Sequence, residues 1–308
     1  MPLTNPSIKF RHLQCFLETA KLQSVGKAAQ NLSISQPAVS KALRELEDEL
    51  GVKLFEPLGR GIRLSGYGEV FQRYAGASIS TLKQGVDLIA QARSAGGFRI
   101  RIGALPTVLA KVLPNAIHSF KQHDNETIIE ILTGENTVLM SQLQLGDLDL
   151  VVGRLTLPNR MLGLSFEHLY TEEIGLFVRD GHPLLTEIGK KPFALESITK
   201  FTILMPWKDA VIRPSVDQFL TINGMGNFSD VIETVSTSFC KSFVKKTNAV
   251  WIISRGVASD EVGIGSIVEL PIDTSTTTGP VGLTIRVGTP LTLPAQLLMR
   301  HIRKATIN

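Results

Sequence analysis

The sequence predicts an all-α N-terminal module closed by a short two-stranded wing, a long linker helix, and an α/β domain filling the C-terminal two thirds. Three observations predict it. Helical hydrophobic periodicity, punctuated by serines suited to capping, runs over residues 9–50. An apolar seam with spacings of 4, 3, 4 and 3 runs over residues 75–89. From residue 98 onward, short apolar strands alternate with helical patterns. A chain of 308 residues that is 43% hydrophobic exceeds one ordinary core, since domains usually run about 100–150 residues. The expected divisions are 1–64, 65–94 and 95–308, the last boundary marked by Ser94-Ala-Gly-Gly97, where paired glycines end a helix.

Leu13, Phe16, Leu17 and Ala20 recur at helical spacing and predict a first helix over residues 9–22, on which Cys15 has a packing role. Ser24 is placed to cap a short second helix containing Ala28, Ala29 and Leu32. Ser33 and Ile34 make a turn, and Ser35 caps a third helix. On that third helix, Val39, Leu43, Leu46 and Leu50 form an arc that can pack on the first two. Gln36, Ser40 and Arg44 form an i, i+4, i+8 stripe elsewhere, flanked by Pro37 and Lys41. Pro37 is tolerated because the first helical turn has no N–H partner to lose. Such a stripe suits a major groove, where Gln pairs with adenine edges and Arg with guanine; a merely solvated face is the other reading. Charge favours the groove. Residues 1–94 hold 12 Lys/Arg against 8 Asp/Glu, so the net charge of +4 lies entirely in this third of the chain.

After Leu50, GVKLFEPLGRGIRLS reads as the wing, with Val52, Leu54 and Phe55 apolar and Leu58-Gly-Arg-Gly61 turning the chain. Arg60 and Arg63 would then face phosphates or the minor groove, or stand as ordinary loop arginines. Ser65 can cap a long helix whose seam of Ala75, Ile79, Leu82, Val86 and Ile89 suits a partner helix in a dimer. The alternative is a helix lying on its own domain.

In the C-terminal region, RIRIGAL, TIIEILTG and LDLVVG read as buried strands, with helical patterns near 109–123 and 136–145 between them. Such alternation predicts a largely parallel sheet with ligands at the carboxyl ends of its strands. The loop residues there are Pro106 and Thr107 after the first strand, Gly134, Glu135 and Asn136 after the second, and Arg154 after the third. Helix N-termini suit an anion, and Arg154 suits either a ligand carboxylate or a structural salt bridge. An acidic metabolite fits these donors, with Glu135 opposing it unless that side chain turns away or meets a ligand hydroxyl.

The stretch FRHLQCFLETAKLQSVGKAAQNLSISQPAVSKALRELEDELGVKLFE closely resembles the LysR-type transcriptional regulators, and the similarity continues over essentially the whole chain. The resemblance implies a winged helix-turn-helix, a linker-helix dimer interface and a two-lobed, type 2 periplasmic-binding-protein-like effector domain. It also implies homodimers or homotetramers, double-stranded promoter DNA and RNA polymerase as partners, and a cytoplasmic, nucleoid-associated location. Carried over by position, its DNA contacts fall on Ser35, Gln36, Pro37, Ser40, Lys41 and Arg44. The family commonly has an arginine after the LFE strand, whereas Pro57 follows Glu56 here, so Arg60 and Arg63 are left to supply wing charge. IGLFVRDGHPL resembles the crossover into the second lobe and VGLTIRV the return. Lobe I is thus expected near 98–170 and 276–308, and lobe II near 171–275. Pro206, Trp207, Thr234, Ser236 and Ser254 would line the cleft from lobe II, Trp207 either stacking on a planar ligand or packing. Within the family, GALPTV, TGEN, GDLDLVVGRL, FEHLY and VWIIS resemble regulators of protocatechuate catabolism, an activator reading with an acidic ring-cleavage metabolite as effector. A second similar subgroup regulates sugar uptake.

Catalysis finds little support: GxSxG, HExxH, P-loop and GxGxxG motifs are missing, and Ser24-x-x-Lys27 lies where capping explains the serine. His118 and His123 share no helix face, and Cys15 and Cys240 lie far apart, so neither metal nor other cofactor is expected. No basic-then-apolar leader and no run of about 18 apolar residues argue for export or membrane spanning. A solute-binding protein or enzyme built on the C-terminal fold is the competing expectation, which the basic helix-turn-helix argues against.

Overall fold

The computed structural model describes residues 7–59, 61–93, 98–156, 158–186, 188, 194–226 and 228–306. The chain divides into two compact units, one of Met1–Gly97 with Ser141–Leu148 and Arg286–Pro290, the other of Phe98–Met140, Asp149–Ile285 and Leu291–Asn308.

The first unit opens with α1 (Phe10–Leu22), α2 (Val25–Asn31) and α3 (Gln36–Leu50), followed by β1 (Phe55–Leu58), β2 (Gly61–Leu64) and the long α4 (Gly66–Arg93). Serine caps set the helix starts. Ser24 Oγ accepts from Lys27 N–H at 3.3 Å and Ser35 Oγ from Ala38 N–H at 3.4 Å, each satisfying a donor that the helix leaves open. Val39, Leu43 and Leu46 of the expected arc are buried with Ala42, packing around Phe16 and Cys15, while Leu50 is half-buried at the rim. The wing is an antiparallel pair in which Glu56 faces Arg63 and Pro57 faces Ile62. Gly59 supplies the left-handed backbone of its turn (φ 57°), which a β-branched residue would resist. Ser65 Oγ accepts from Gly68 N–H at 3.0 Å and donates to Lys53 carbonyl at 2.6 Å, which starts α4 and ties it to the wing.

The second unit is two five-stranded sheets. The first has the order β4 (Ile128–Thr133), β3 (Arg99–Ala104), β5 (Leu150–Arg154), β12 (Gly279–Arg286), β6 (Leu164–Glu172). Between its strands run α5 (Pro106–Leu109), α6 (Val112–Lys121) and α7 (Asn136–Leu145), and α11 (Leu293–Ala305) follows β12. The second has the order β11 (Ile267–Glu269), β7 (Ile174–Arg179), β10 (Val250–Ser254), β8 (Ile203–Met205), β9 (Val231–Glu233), with α8 (Arg213–Ile222), α9 (Thr237–Lys246) and α10 (Arg255–Gly263) around it. Its inner strands β7, β8 and β10 read as near-continuous apolar runs because both faces are covered. Ile174, Leu176 and Val178 enter one core with Val250 and Ile252, while Phe177 and Trp251 enter another with Val244 and Val257.

Three expectations are corrected. The sheets are mixed: β3 pairs in parallel with β4 and β5, but β12 runs antiparallel to β5, and β7 antiparallel to β10 and β11. TIIEILTG is an edge strand with Ile128 and Ile131 exposed, β3 being its one partner among the described residues. The helix expected near 109–123 is α6 alone and starts only at Val112, separate from α5, since Pro114 lacks an N–H and is accommodated only in a first turn.

Leu46 is fully buried at the centre of the N-terminal core. Leu46→Ala is therefore expected to cost about 2–5 kcal/mol in urea unfolding of the N-terminal unit; a loss under 1 kcal/mol would mean the core is elsewhere.

Candidate functional site

The stripe on α3 stands clear of its core. Gln36, Pro37, Lys41 and Arg44 are exposed and Ser40 is half-buried, with Ser35 capping the same end of the helix. Arg44 Nε donates to the Ser40 carbonyl at 3.3 Å, holding its stem along the helix. Lys41 Nζ lies 3.9 Å from Glu45, whose carboxylate also meets Arg11 at 3.1 Å and the buried His12 Nε2 at 3.0 Å. The His12 hydrogen bond, first, holds the Glu45 carboxyl below its ordinary range. Glu45 thus keeps a charge that ties α3 to α1. On the wing, Arg63 pairs with Glu56 at 3.1 Å; such an exposed pair is weak and yields readily to a phosphate. Arg60 lies outside the described residues.

Along α4, the expected seam separates into two parts. Ala75 and Ile79 are buried, Ala75 within the module's own core, whereas Leu82, Val86 and Ile89 are exposed. The five-position seam is therefore corrected to three exposed positions, because the small side chain of Ala75 lets α4 lie against its own module.

In the second unit, the carboxyl ends of strands from both sheets enclose a cavity of about 90 Å³, where about 10–15 Å³ is enough to hold one water. Pro106, Thr107, Gly134, Glu135, Asn136 and Arg154 line it from the first sheet, and Pro206, Trp207, Thr234 and Ser254 from the second. Ser236 is not among the lining residues: its hydroxyl accepts from Phe239 N–H at 3.4 Å and caps α9, leaving Thr237 to face the cavity. Glu135 is exposed and Trp207 is 46% exposed. Asn136 is the informative member. It is 4% exposed, yet neither its amide nitrogen nor its amide oxygen has a partner among the described residues. Buried amides are ordinarily satisfied, so this one stands out among the lining residues.

Arg154 is committed elsewhere. Buried at the end of β5, its guanidinium donates to the carbonyls of Thr277 and, at 3.4 Å, Glu172, where the chain passes between the two sheets. A Cβ at Gly279 would overlap that guanidinium. Glu172, at the end of β6, accepts from the Thr107 hydroxyl of the first sheet and from Gly256 N–H of the second at 2.7 Å. Burial pushes its carboxyl above the ordinary range, against the opposing pull of Thr107, Gly256, Arg154 and Ser254. Sequence reasoning missed Glu172, whose signal was a carboxylate set between two apolar strands. It also missed Cys240, Trp251 and Val257, which become cavity walls only when the sheets meet. Burial pushes the Cys240 thiol up to about 12, so it is a neutral wall group.

Among the described residues no cluster of three or more metal-binding side chains occurs and no helix is long and apolar enough to cross a membrane. A winged helix-turn-helix joined to a two-sheet domain with a cavity between the sheets defines a DNA-binding regulator that carries its own ligand-binding domain. Residues 10–69 match the bacterial regulatory helix-turn-helix proteins of the lysR family and residues 94–306 the LysR substrate binding domain, and the chain belongs to the LysR family of transcriptional regulators. It is 49% identical over 303 residues to the HTH-type transcriptional regulator PcaQ of Agrobacterium fabrum, covering 98% of this chain and 96% of that protein. It is 30% identical to the uncharacterized HTH-type regulator YdcI of Escherichia coli, covering 98% and 97%. Its fold is shared with ArgP from Mycobacterium tuberculosis at a TM-score of 0.66 and 14% identity, with 96% of each chain covered.

Two outcomes are expected from this geometry. Arg44→Ala costs about 1–3 kcal/mol of operator affinity and relaxes base preference at one position, whereas Arg63→Ala weakens all sequences alike and lowers the salt slope by about 1, both read by fluorescence anisotropy. Asn136→Leu leaves stability unchanged or raises it by about 1 kcal/mol in thermal unfolding, because it removes a buried amide with no partner to lose; a loss of several kcal/mol would show that the amide is satisfied.

Proposed function

We propose that this regulator activates genes of protocatechuate catabolism in response to an acidic ring-cleavage metabolite bound in the cavity. The observation that carries the reading is the 49% identity to PcaQ over nearly the whole chain. Supporting it, two of the segments that resemble regulators of this pathway, GALPTV and TGEN, supply Leu105, Pro106, Thr107, Gly134, Glu135 and Asn136 to the cavity wall. An acidic ligand finds there the N-terminus of the ten-residue α7, the unpartnered Asn136 amide, and the hydroxyls of Thr234 and Thr237. Trp207, Val235 and Trp251 offer surface to its carbon skeleton.

In this reading the chain works in three parts, 1–64 on DNA, 65–94 in dimerisation and 95–308 on the effector. Ser35, Gln36, Pro37, Ser40, Lys41 and Arg44 enter the major groove, with Arg63 at its edge. Leu82, Val86 and Ile89 meet a second copy, giving paired heads for paired half-sites in a homodimer or homotetramer. The protein is no enzyme: it acts in the cytoplasm on promoter DNA and RNA polymerase. Arg154 contributes by fixing the strand crossings and not by holding a carboxylate.

The test is a footprint on the intergenic DNA beside the gene, with and without carboxy-cis,cis-muconate, the tricarboxylate ring-cleavage product of protocatechuate. The expected result is a protected region whose extent or hypersensitive sites change with ligand. The same titration with Asn136→Leu should require about tenfold more ligand, the worth of one or two lost hydrogen bonds. An unchanged footprint with the wild-type protein would remove this metabolite as the effector and turn attention to sugars or other acids.

A further inference from the structure

Two stretches of cavity wall leave the second sheet side by side. Residues 206–212 follow β8 and supply Pro206, Trp207, Ala210, Val211 and Ile212; residues 234–237 follow β9 and supply Thr234, Val235 and Thr237. The two strands run parallel with Met205 opposite Glu233, and one further backbone bond, Thr234 N–H to the Met205 carbonyl at 3.1 Å, carries the pairing just past their ends.

Arg213, the first residue of α8, stands behind both stretches. Its Nη1 donates to the Pro206 carbonyl at 2.8 Å and to Glu233 Oε1 at 2.8 Å, and its Nε donates to Asp217 Oδ1 at 2.7 Å. The side chain is 13% exposed and is not part of the cavity lining. One planar, permanently charged fork thus fastens the first residue of one wall to the residue preceding the other, with Asp217 one helical turn on fixing the fork's plane. The Asp217 pair, half open to solvent, is worth little by itself. The Nη1 bonds fix geometry between two loops that nothing else with a charged head spans in this corner of the sheet, among the described residues.

We propose that Arg213 is a positioning residue for effector recognition: it sets the spacing of the Pro206–Trp207 wall against the Thr234 wall and so the shape that the ligand meets, without touching the ligand. The claim rests on the cavity being the effector site, but its geometric half does not depend on which metabolite binds. Wall residues held at a fixed separation spare the ligand the cost of ordering them, so loosening the walls lowers affinity even though every group that touches the ligand is intact.

The experiment uses full-length protein, wild type against Arg213→Gln, Arg213→Lys and the milder Glu233→Gln. Hydrogen exchange is followed without ligand, and carboxy-cis,cis-muconate is titrated by calorimetry. In Arg213→Gln, amides of both 206–212 and 234–237 are expected to exchange faster while α11 and β3 keep their protection. Effector affinity should fall about tenfold, and Arg213→Lys, which keeps charge without the fork, should recover only part of it. Glu233→Gln should loosen 234–237 more than 206–212. Faster exchange confined to the first turn of α8, uniform loss of protection, or an unchanged affinity would overturn the proposal. If wild-type protein takes up no tricarboxylate, the reading of the ligand fails, while the exchange pattern at the two walls still decides the positioning role.

Discussion

The ligand-binding domain depends on one buried polar knot where the chain crosses between its two sheets. Two crossings, at Glu172–Ile174 and across residues 270–278, lie side by side and are stitched together by threonines. Thr277 Oγ1 accepts from Ile174 N–H at 3.0 Å and Thr274 Oγ1 donates to the Ile174 carbonyl at 2.8 Å. Arg154 fills the space between the crossings, and Glu172 reaches from there to Thr107 on one side and Gly256 on the other. A charge removed from water this far is costly unless it is fully hydrogen-bonded, which is why a guanidinium here is spent on carbonyls and a carboxylate on a hydroxyl and an amide. The knot therefore contributes less to net stability than to a single arrangement of the crossings.

That arrangement explains the cavity. Because both crossings are short and tied, the carboxyl ends of β3, β4 and β5 and those of β8, β9 and β10 open toward one space. Its walls are largely apolar, and the buried Asn136 amide, with no partner among the described residues, is where the proposed ligand would complete the hydrogen bonding. A ligand that bridges the two sheets has differential affinity for their arrangements, and that is the only way in which binding can shift a conformational equilibrium. At the other end of the chain, the helix-turn-helix relies on ordinary packing: an apolar arc on α3 is buried, so Gln36, Lys41 and Arg44 must face outward.

Much of this was legible in the sequence, for reasons that differ by element. The two faces of α3 separate cleanly at 3.6 residues per turn, and three serines at helix starts announce their capping role. Pro106, Thr107, Gly134 and Asn136 could be picked out because they directly follow apolar strands. The fate of Arg154 could not be read, since the Thr277 carbonyl that holds it is 123 residues away and carries no side-chain signal. Cys240 and Trp251 were invisible as wall residues for the same reason: burial in a helix or a strand looks alike whether the neighbour is core or cavity. The seam on α4 was over-read, because periodicity records that a face is apolar and not which partner covers it; Ala75 turned out to be covered by its own module.

The central claim is that occupancy of the cavity and occupancy of DNA are energetically coupled in one molecule. Such coupling is reciprocal by thermodynamic necessity. The most direct measurement is the pair of affinities on full-length protein at one salt concentration: operator affinity with and without saturating carboxy-cis,cis-muconate, and ligand affinity with and without saturating operator. The account predicts that each changes the other by the same factor, about 5–150-fold for a coupling of ordinary size. A ligand affinity identical in the presence and absence of operator would contradict it.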